Sequence, residues 1–207
     1  MFQHQPLTVW CFHGCGQNPV VFQRLTSALR QRAPPEWTFE YPQGFYPLKS
    51  SGHSWYTNTD SKSVYREPRS HPHMKKLYAR MVTSERRVLL LGFSEGAMLA
   101  CDLALRFSKE RTSPLVGVVA LAPSFFNKWQ SDIVSPLTLL LVTSPSDMNV
   151  RPKESQKWWN YFSTTQHFET YKGHKVHFPS ALRKLIFQTF VTEKQNDGVR
   201  KTKKRNP

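Results

Sequence analysis

The sequence predicts an α/β fold: a mostly parallel central sheet of about six strands with helices on both faces. Short apolar runs alternate with longer amphipathic stretches along the chain. The apolar runs are nearly continuous rather than alternating, which suits strands covered on both faces. A length of 207 residues suits one domain, since chains split mainly beyond roughly 250 residues.

The strand candidates in order are LTVWCF (7–12), WTFEY (37–41), RVLLLGF (87–93), LVGVVAL (115–121), LTLLLV (137–142) and HFETY (167–171). Between them stand helix candidates. VVFQRLTSALRQ (20–31) places Val21, Leu25 and Leu29 on one helical face. HMKKLYARMV (73–82), AMLACDLALRF (97–107), KESQKWWNYF (153–162) and ALRKLIFQTFV (181–191) follow. Tyr41 to Pro72 resists the pattern and reads as a long loop, of the kind that lines or covers a site. The domain is expected over 1–192, with 193–207 a basic, disordered tail.

Composition narrows the function classes. No basic n-region leads an apolar run at the start, so no secretory signal is read. The longest apolar run falls short of the ~20 residues of a membrane helix. The chain is therefore expected to be soluble and cytoplasmic, or nuclear through its basic tail. Cys11, Cys15 and Cys101 cannot all pair, and one C-x3-C without a second pair is a poor zinc site.

The net charge of +15 concentrates in two places. Ser61 to Arg87 carries eight basic and two acidic residues, and Glu193 to Pro207 six and two. Neither interleaves aromatics in an RNA-binding pattern, so no specific nucleic acid is expected. Contact with an anionic surface through the tail, or a preference for anionic lipids or acidic acyl chains, is the remaining reading.

The most informative stretch is RVLLLGFSEGAMLACDLAL, with Gly92-Phe93-Ser94-Glu95-Gly96 at its centre. G-x-S-x-G alone arises by chance in roughly one chain in fifteen of this length. Its setting is more specific: an apolar run leads in and a helix-forming run leads out, the strand–turn–helix of a nucleophile elbow. Side chains at positions 92 and 96 would collide with the adjoining strand and helix. Ser94 is thereby the candidate nucleophile.

CFHGCGQNP follows the first strand, where a second donor to a developing oxyanion is needed. The donors expected are the N–H groups of Cys15 and Glu95. His13 reads as a brace for that loop rather than a base. A serine needs a base, and the base an orienting carboxylate. Asp102 lies inside the helix after the elbow, and Asp132 precedes its strand at the wrong edge. Asp147 leaves an apolar strand at the edge where the serine emerges. Among later histidines, His167 begins a predicted strand at the opposite edge, while His174 and His177 both follow it. Gly173 frees the backbone to turn inward and favours His174; His177 stands as the alternative. No further cluster supplies metal ligands.

Together HGCGQN, GFSEGAMLA, SPSDMNVRPKES and GHKVH resemble the FSH-type serine hydrolases, small cap-poor α/β hydrolases related to carboxylesterases and acyl-protein thioesterases. The resemblance runs from about Leu7 to Val191. It implies the α/β-hydrolase fold, Ser94, Asp147 and His174 as nucleophile, acid and base, and no cofactor. Five departures stand out. Ser144 replaces a glycine common before the acid, and one extra residue separates Asp147 from Pro152. Glu95 replaces the glutamine of GFSQGA, so its charge would oppose an anionic intermediate. Lys172 and His177 replace the first glycine and the proline of Gly-Gly-His-x-Val-Pro.

The expected activity is cleavage of small-molecule or lipid-like acyl esters or thioesters through an acyl-enzyme. Phe45, Tyr46 and Trp55 are candidates for an apolar substrate wall. A non-catalytic hydrolase-fold protein binding a partner through its basic surface is the alternative, and peptidase activity a further one.

Overall fold

A computed structural model describes residues 6–49, 52–59, 64–66, 71–110, 112–125 and 133–191, with backbone only in 57–59 and 64–66. Asp132, the 193–207 tail and part of the basic 61–87 stretch lie outside the described residues.

Six strands form one parallel sheet: β1 (Leu7–Phe12), β2 (Trp37–Glu40), β7 (Arg87–Phe93), β8 (Leu115–Leu121), β9 (Ser135–Thr143) and β10 (Phe162–Glu169), in the order β10-β9-β8-β7-β1-β2. Every side chain of β1 is buried, as a sheet covered on both faces requires. The strand order reverses between β1 and β7. Their loops therefore part at one crevice at the C-terminal edge, where open α/β sheets place their sites.

Helices α3 (Pro72–Val82) and α4 (Glu95–Phe107) cover one face, through Met74, Leu77, Met98 and Leu103. Helices α1 (Pro19–Leu25), α2 (Ser27–Arg30) and α6 (Ser180–Val191) cover the other, through Phe22, Leu29, Leu182, Ile186 and Phe190. A short helix α5 (Pro152–Gln156) and a 3-10 turn (Lys157–Tyr161) connect β9 to β10. No helix among the described residues is long and apolar enough to cross a membrane.

Besides replacing the single helix expected over 153–162 by α5 and the 3-10 turn, with Phe162 already in β10, the structure revises three sequence expectations. The single helix expected over 20–31 is two, split at Thr26, whose hydroxyl back-bonds to the Phe22 carbonyl and meets the Tyr41 hydroxyl at 2.7 Å. The buried apolar residues there are Phe22 and Leu29, while Val21 and Leu25 are exposed. The last strand begins five residues before the one expected. His167 thus lies in its C-terminal half, with Nε2 2.8 Å from Thr143 Oγ1, and not at the opposite edge of the sheet. The Tyr41 to Pro72 segment is not structureless. It holds two short antiparallel pairs, β3 (Tyr46–Pro47) with β4 (His53–Ser54), and β5 (Thr57–Thr59) with β6 (Val64–Arg66).

Candidate active site

The turn from β7 to α4 is as tight as the G-x-S-x-G reading requires. A Cβ at Gly92 would lie 2.3 Å from the Gly96 carbonyl oxygen, and one at Gly96 2.2 Å from that of Phe12. Neither contact involves a side chain that could rotate away. Ser94 sits between them at φ 53° and ψ −117°, a conformation costing on the order of 1–3 kcal/mol outside glycine. Its N–H donates to the Leu121 carbonyl at 2.8 Å, which ties the strained residue to β8.

Asp147 is fixed by its own turn. Its Oδ1 accepts the N–H groups of Asn149 and Val150, each at 2.8 Å, and its N–H donates to the Ser144 carbonyl at 3.0 Å. That leaves Oδ2 to face His174, whose Nδ1 stands 2.8 Å away. His174 Nε2 lies 3.1 Å from Ser94 Oγ. Proton counting sets the tautomer: a carboxylate only accepts, so Nδ1 carries the hydrogen and the bare Nε2 accepts from Ser94 O–H. Asp147 is buried, and Ser94 and His174 are half-buried. One face of the imidazole packs on Phe93, ring centroids 4.8 Å apart.

Gly173 takes φ 62°, the left-handed region glycine favours, and its N–H donates to Ser144 Oγ at 3.0 Å. The structure therefore brings Ser94, Asp147 and His174 together and leaves His177 out of that line of hydrogen bonds. Asp102 is buried within α4 and paired with Arg106 at 2.6 Å.

The loop after β1 lies beside the elbow because Phe12 is in register with Gly92. Gly14 and Gly16 spend their N–H groups on Gln17 Oε1 and the His53 carbonyl, both at 3.0 Å. Cys15 N–H donates to no acceptor among the described residues, and neither does the N–H of Glu95, the first residue of α4. His13 is a brace: Nδ1 donates to the Gly14 carbonyl at 2.9 Å and Nε2 accepts Gly44 N–H at 3.0 Å. Burial pushes its imidazole toward the neutral form that this arrangement needs.

Trp55 is wholly buried against Phe12 and His13, with Nε1 donating to the His13 carbonyl at 2.7 Å. Phe45 and Tyr46 are half-buried, and Phe45 stacks on His71. Sequence reasoning missed how firmly this loop is sewn to the loop after β1. Its signal was Gly52, where a Cβ would lie 2.0 Å from the Gly16 carbonyl oxygen. Cys11 and Cys101 are buried, and burial raises both thiols far above their ordinary range, as for small core residues. Among the described residues no group of three or more His, Cys, Asp or Glu could hold a metal ion.

Residues 2–184 match the model of the family described as Serine hydrolase (FSH1). No curated protein matches the chain significantly. Solved structures do. The Bacillus cereus carboxylesterase superposes with a TM-score of 0.70 at 14% identity, covering 92% of this chain and 93% of that one. The Zea mays acyl-protein thioesterase 2 gives 0.64 at 20%, covering 89% and 92%. Arabidopsis thaliana SOBER1 gives 0.62 at 16%, covering 88% and 95%. At such identities the likeness establishes a shared α/β fold.

Proposed function

The chain belongs to the serine hydrolase (FSH1) family, and on that premise we propose that it cleaves carboxylic esters or thioesters through an acyl-enzyme on Ser94. The observation that carries this reading is the continuous line from Asp147 Oδ2 through His174 to Ser94 Oγ, at 2.8 and 3.1 Å. The carboxylesterase and the acyl-protein thioesterase among the similar structures support the substrate class.

In the first step Ser94 Oγ bonds to the substrate's carbonyl carbon, and its proton passes to His174 Nε2. The carbonyl electron pair moves onto oxygen, where the N–H groups of Cys15 and Glu95 receive the charge. Collapse of this intermediate expels the alcohol or thiol, which leaves with the proton from His174. Water then repeats the sequence on the acyl-enzyme, freeing the acid and Ser94. Asp147 holds the tautomer and stabilises the imidazolium. The half-buried Phe45 and Tyr46 furnish the apolar substrate wall; Trp55, expected from the sequence to share in it, is wholly buried and instead packs behind Phe45.

Hydrolysis of a panel of p-nitrophenyl esters and acyl-CoA thioesters of varied chain length tests this reading. Turnover of at least one series, abolished by Ser94→Ala, is expected. Turnover that survives Ser94→Ala would overturn it.

A further inference from the structure

The side chain of Glu95 has a proton-counting problem. Ser54 Oγ lies 2.7 Å from two acceptors, the Tyr56 carbonyl and Glu95 Oε1, and also accepts Tyr56 N–H at 3.1 Å. A serine hydroxyl has one proton, and 2.7 Å is the length of a full O–H···O bond, not of a proton shared between two acceptors. Glu95 Oε2 meanwhile accepts Trp55 N–H at 3.0 Å. With an ionised Glu95, one of the two short oxygen pairs would hold no hydrogen. With a protonated Glu95 these oxygen and nitrogen contacts balance: Oε1–H donates to Ser54 Oγ, Ser54 O–H donates to the Tyr56 carbonyl, and Oε2 accepts from Trp55.

We propose that Glu95 works as a neutral carboxylic acid, a positioning residue that holds both oxyanion donors, and that its ionisation imposes an alkaline limb on hydrolysis. The role of those donors rests on the function proposed above. Glu95 is 7% exposed, and burial raises its carboxyl above the ordinary range, outweighing the Ser54 and Trp55 hydrogen bonds that lower it. The described titratable groups facing it supply no compensating cation. Cys15 and Tyr56 couple to its charge, while His13 and His53 adjoin the loop it braces and Asp102 lies farther along α4. Arg106 is committed to Asp102, and His174 to Asp147.

The same network joins the two donors. Glu95 supplies one N–H itself. Through Trp55, whose indole donates to the His13 carbonyl, its side chain also braces the loop carrying Cys15 N–H. A protonated acid here has the donor–acceptor pattern of glutamine and puts no charge beside the developing oxyanion. Loss of the proton opens the Ser54 contact and places a negative charge next to the nucleophile.

The test is kcat/KM against pH for the wild type and Glu95→Gln, each corrected with Ser94→Ala. The wild type should fall roughly tenfold or more as pH rises, within the ~10²–10³-fold that loss of one oxyanion donor costs. Glu95→Gln should lack that limb. The same alkaline limb in both proteins, or none in the wild type, would overturn the proposal. A second measurement does not depend on catalysis: a pH titration by NMR of the full-length wild type labelled with 13C at glutamate carboxyls. The resonance missing from Glu95→Gln should titrate above the other glutamates, and titration among them would overturn the proposal. If no substrate is turned over at any pH, the proposed function fails, and the NMR titration still decides whether Glu95 keeps its proton.

Discussion

Ser144 Oγ accepts the N–H of Gly173 at 3.0 Å, which fastens the loop carrying Asp147 to the loop carrying His174. Ser144 is buried, and its hydroxyl also meets Ser146 Oγ at 3.0 Å. Removing it leaves a half-buried N–H without its partner and frees the residue next to the base. Ser144→Ala should therefore lower kcat by about tenfold while KM changes little, since small misplacements of a catalytic group cost up to ~10²-fold. Steady-state kinetics on one ester distinguishes this from a loss of binding, which would raise KM and leave kcat.

The two late histidines differ in what they touch. His174 reaches both Asp147 and Ser94, while His177 lies to the side of that line. His174→Ala should reduce kcat by about 10⁴-fold or more, and His177→Ala should stay largely active. The reverse pattern in ester hydrolysis would exchange their roles.

Asp147 holds the tautomer of His174. Asp147→Asn keeps the shape but places an amide opposite Nδ1, which favours the tautomer with Nε2 protonated. A loss of about 10³–10⁴-fold in kcat is expected, with thermal stability much less affected. Parallel activity and melting measurements check it.

Gly96 tests the packing of the elbow separately from its chemistry. A Cβ there would lie 2.2 and 2.4 Å from the carbonyl oxygens of Phe12 and His13, so the backbone itself must move. Gly96→Ala should destabilise the fold by about 3 kcal/mol or more, at the upper end for overpacking. Denaturant unfolding measures this directly.

Glu95 also couples stability to pH. Its folded-state carboxyl is raised above the unfolded value, so the folded chain binds its proton more tightly. The stability this supplies is fully present below the unfolded pKa and is lost as pH rises through the folded one. Glu95→Gln should remove that loss, so its melting temperature should gain on the wild type as pH rises above the ordinary carboxylate range. A constant difference at all pH values would contradict the coupling.

Much of the fold was legible because near-continuous apolar runs read directly as doubly covered parallel strands. Leu7–Phe12, Arg87–Phe93 and Leu115–Leu121 match the residues expected. The last strand was the exception. Phe162–Glu169 reads FSTTQHFE, and its polar positions at the sheet's edge hide it from a search for apolar runs. Ser94, Asp147 and His174 could be selected because each follows a recognisable strand or glycine turn. The Glu95–Ser54–Trp55 network was invisible for a different reason. It joins residues 40 and 41 positions apart through a loop whose path no periodicity specifies.

The central claim is that Ser94 is a nucleophile activated by His174. Labelling with a fluorophosphonate probe, followed by mass mapping of the modified peptide, tests it most directly. The account predicts one adduct, on Ser94, absent from Ser94→Ala and strongly slowed in His174→Ala. An adduct on another residue, or labelling at full rate without His174, would contradict it.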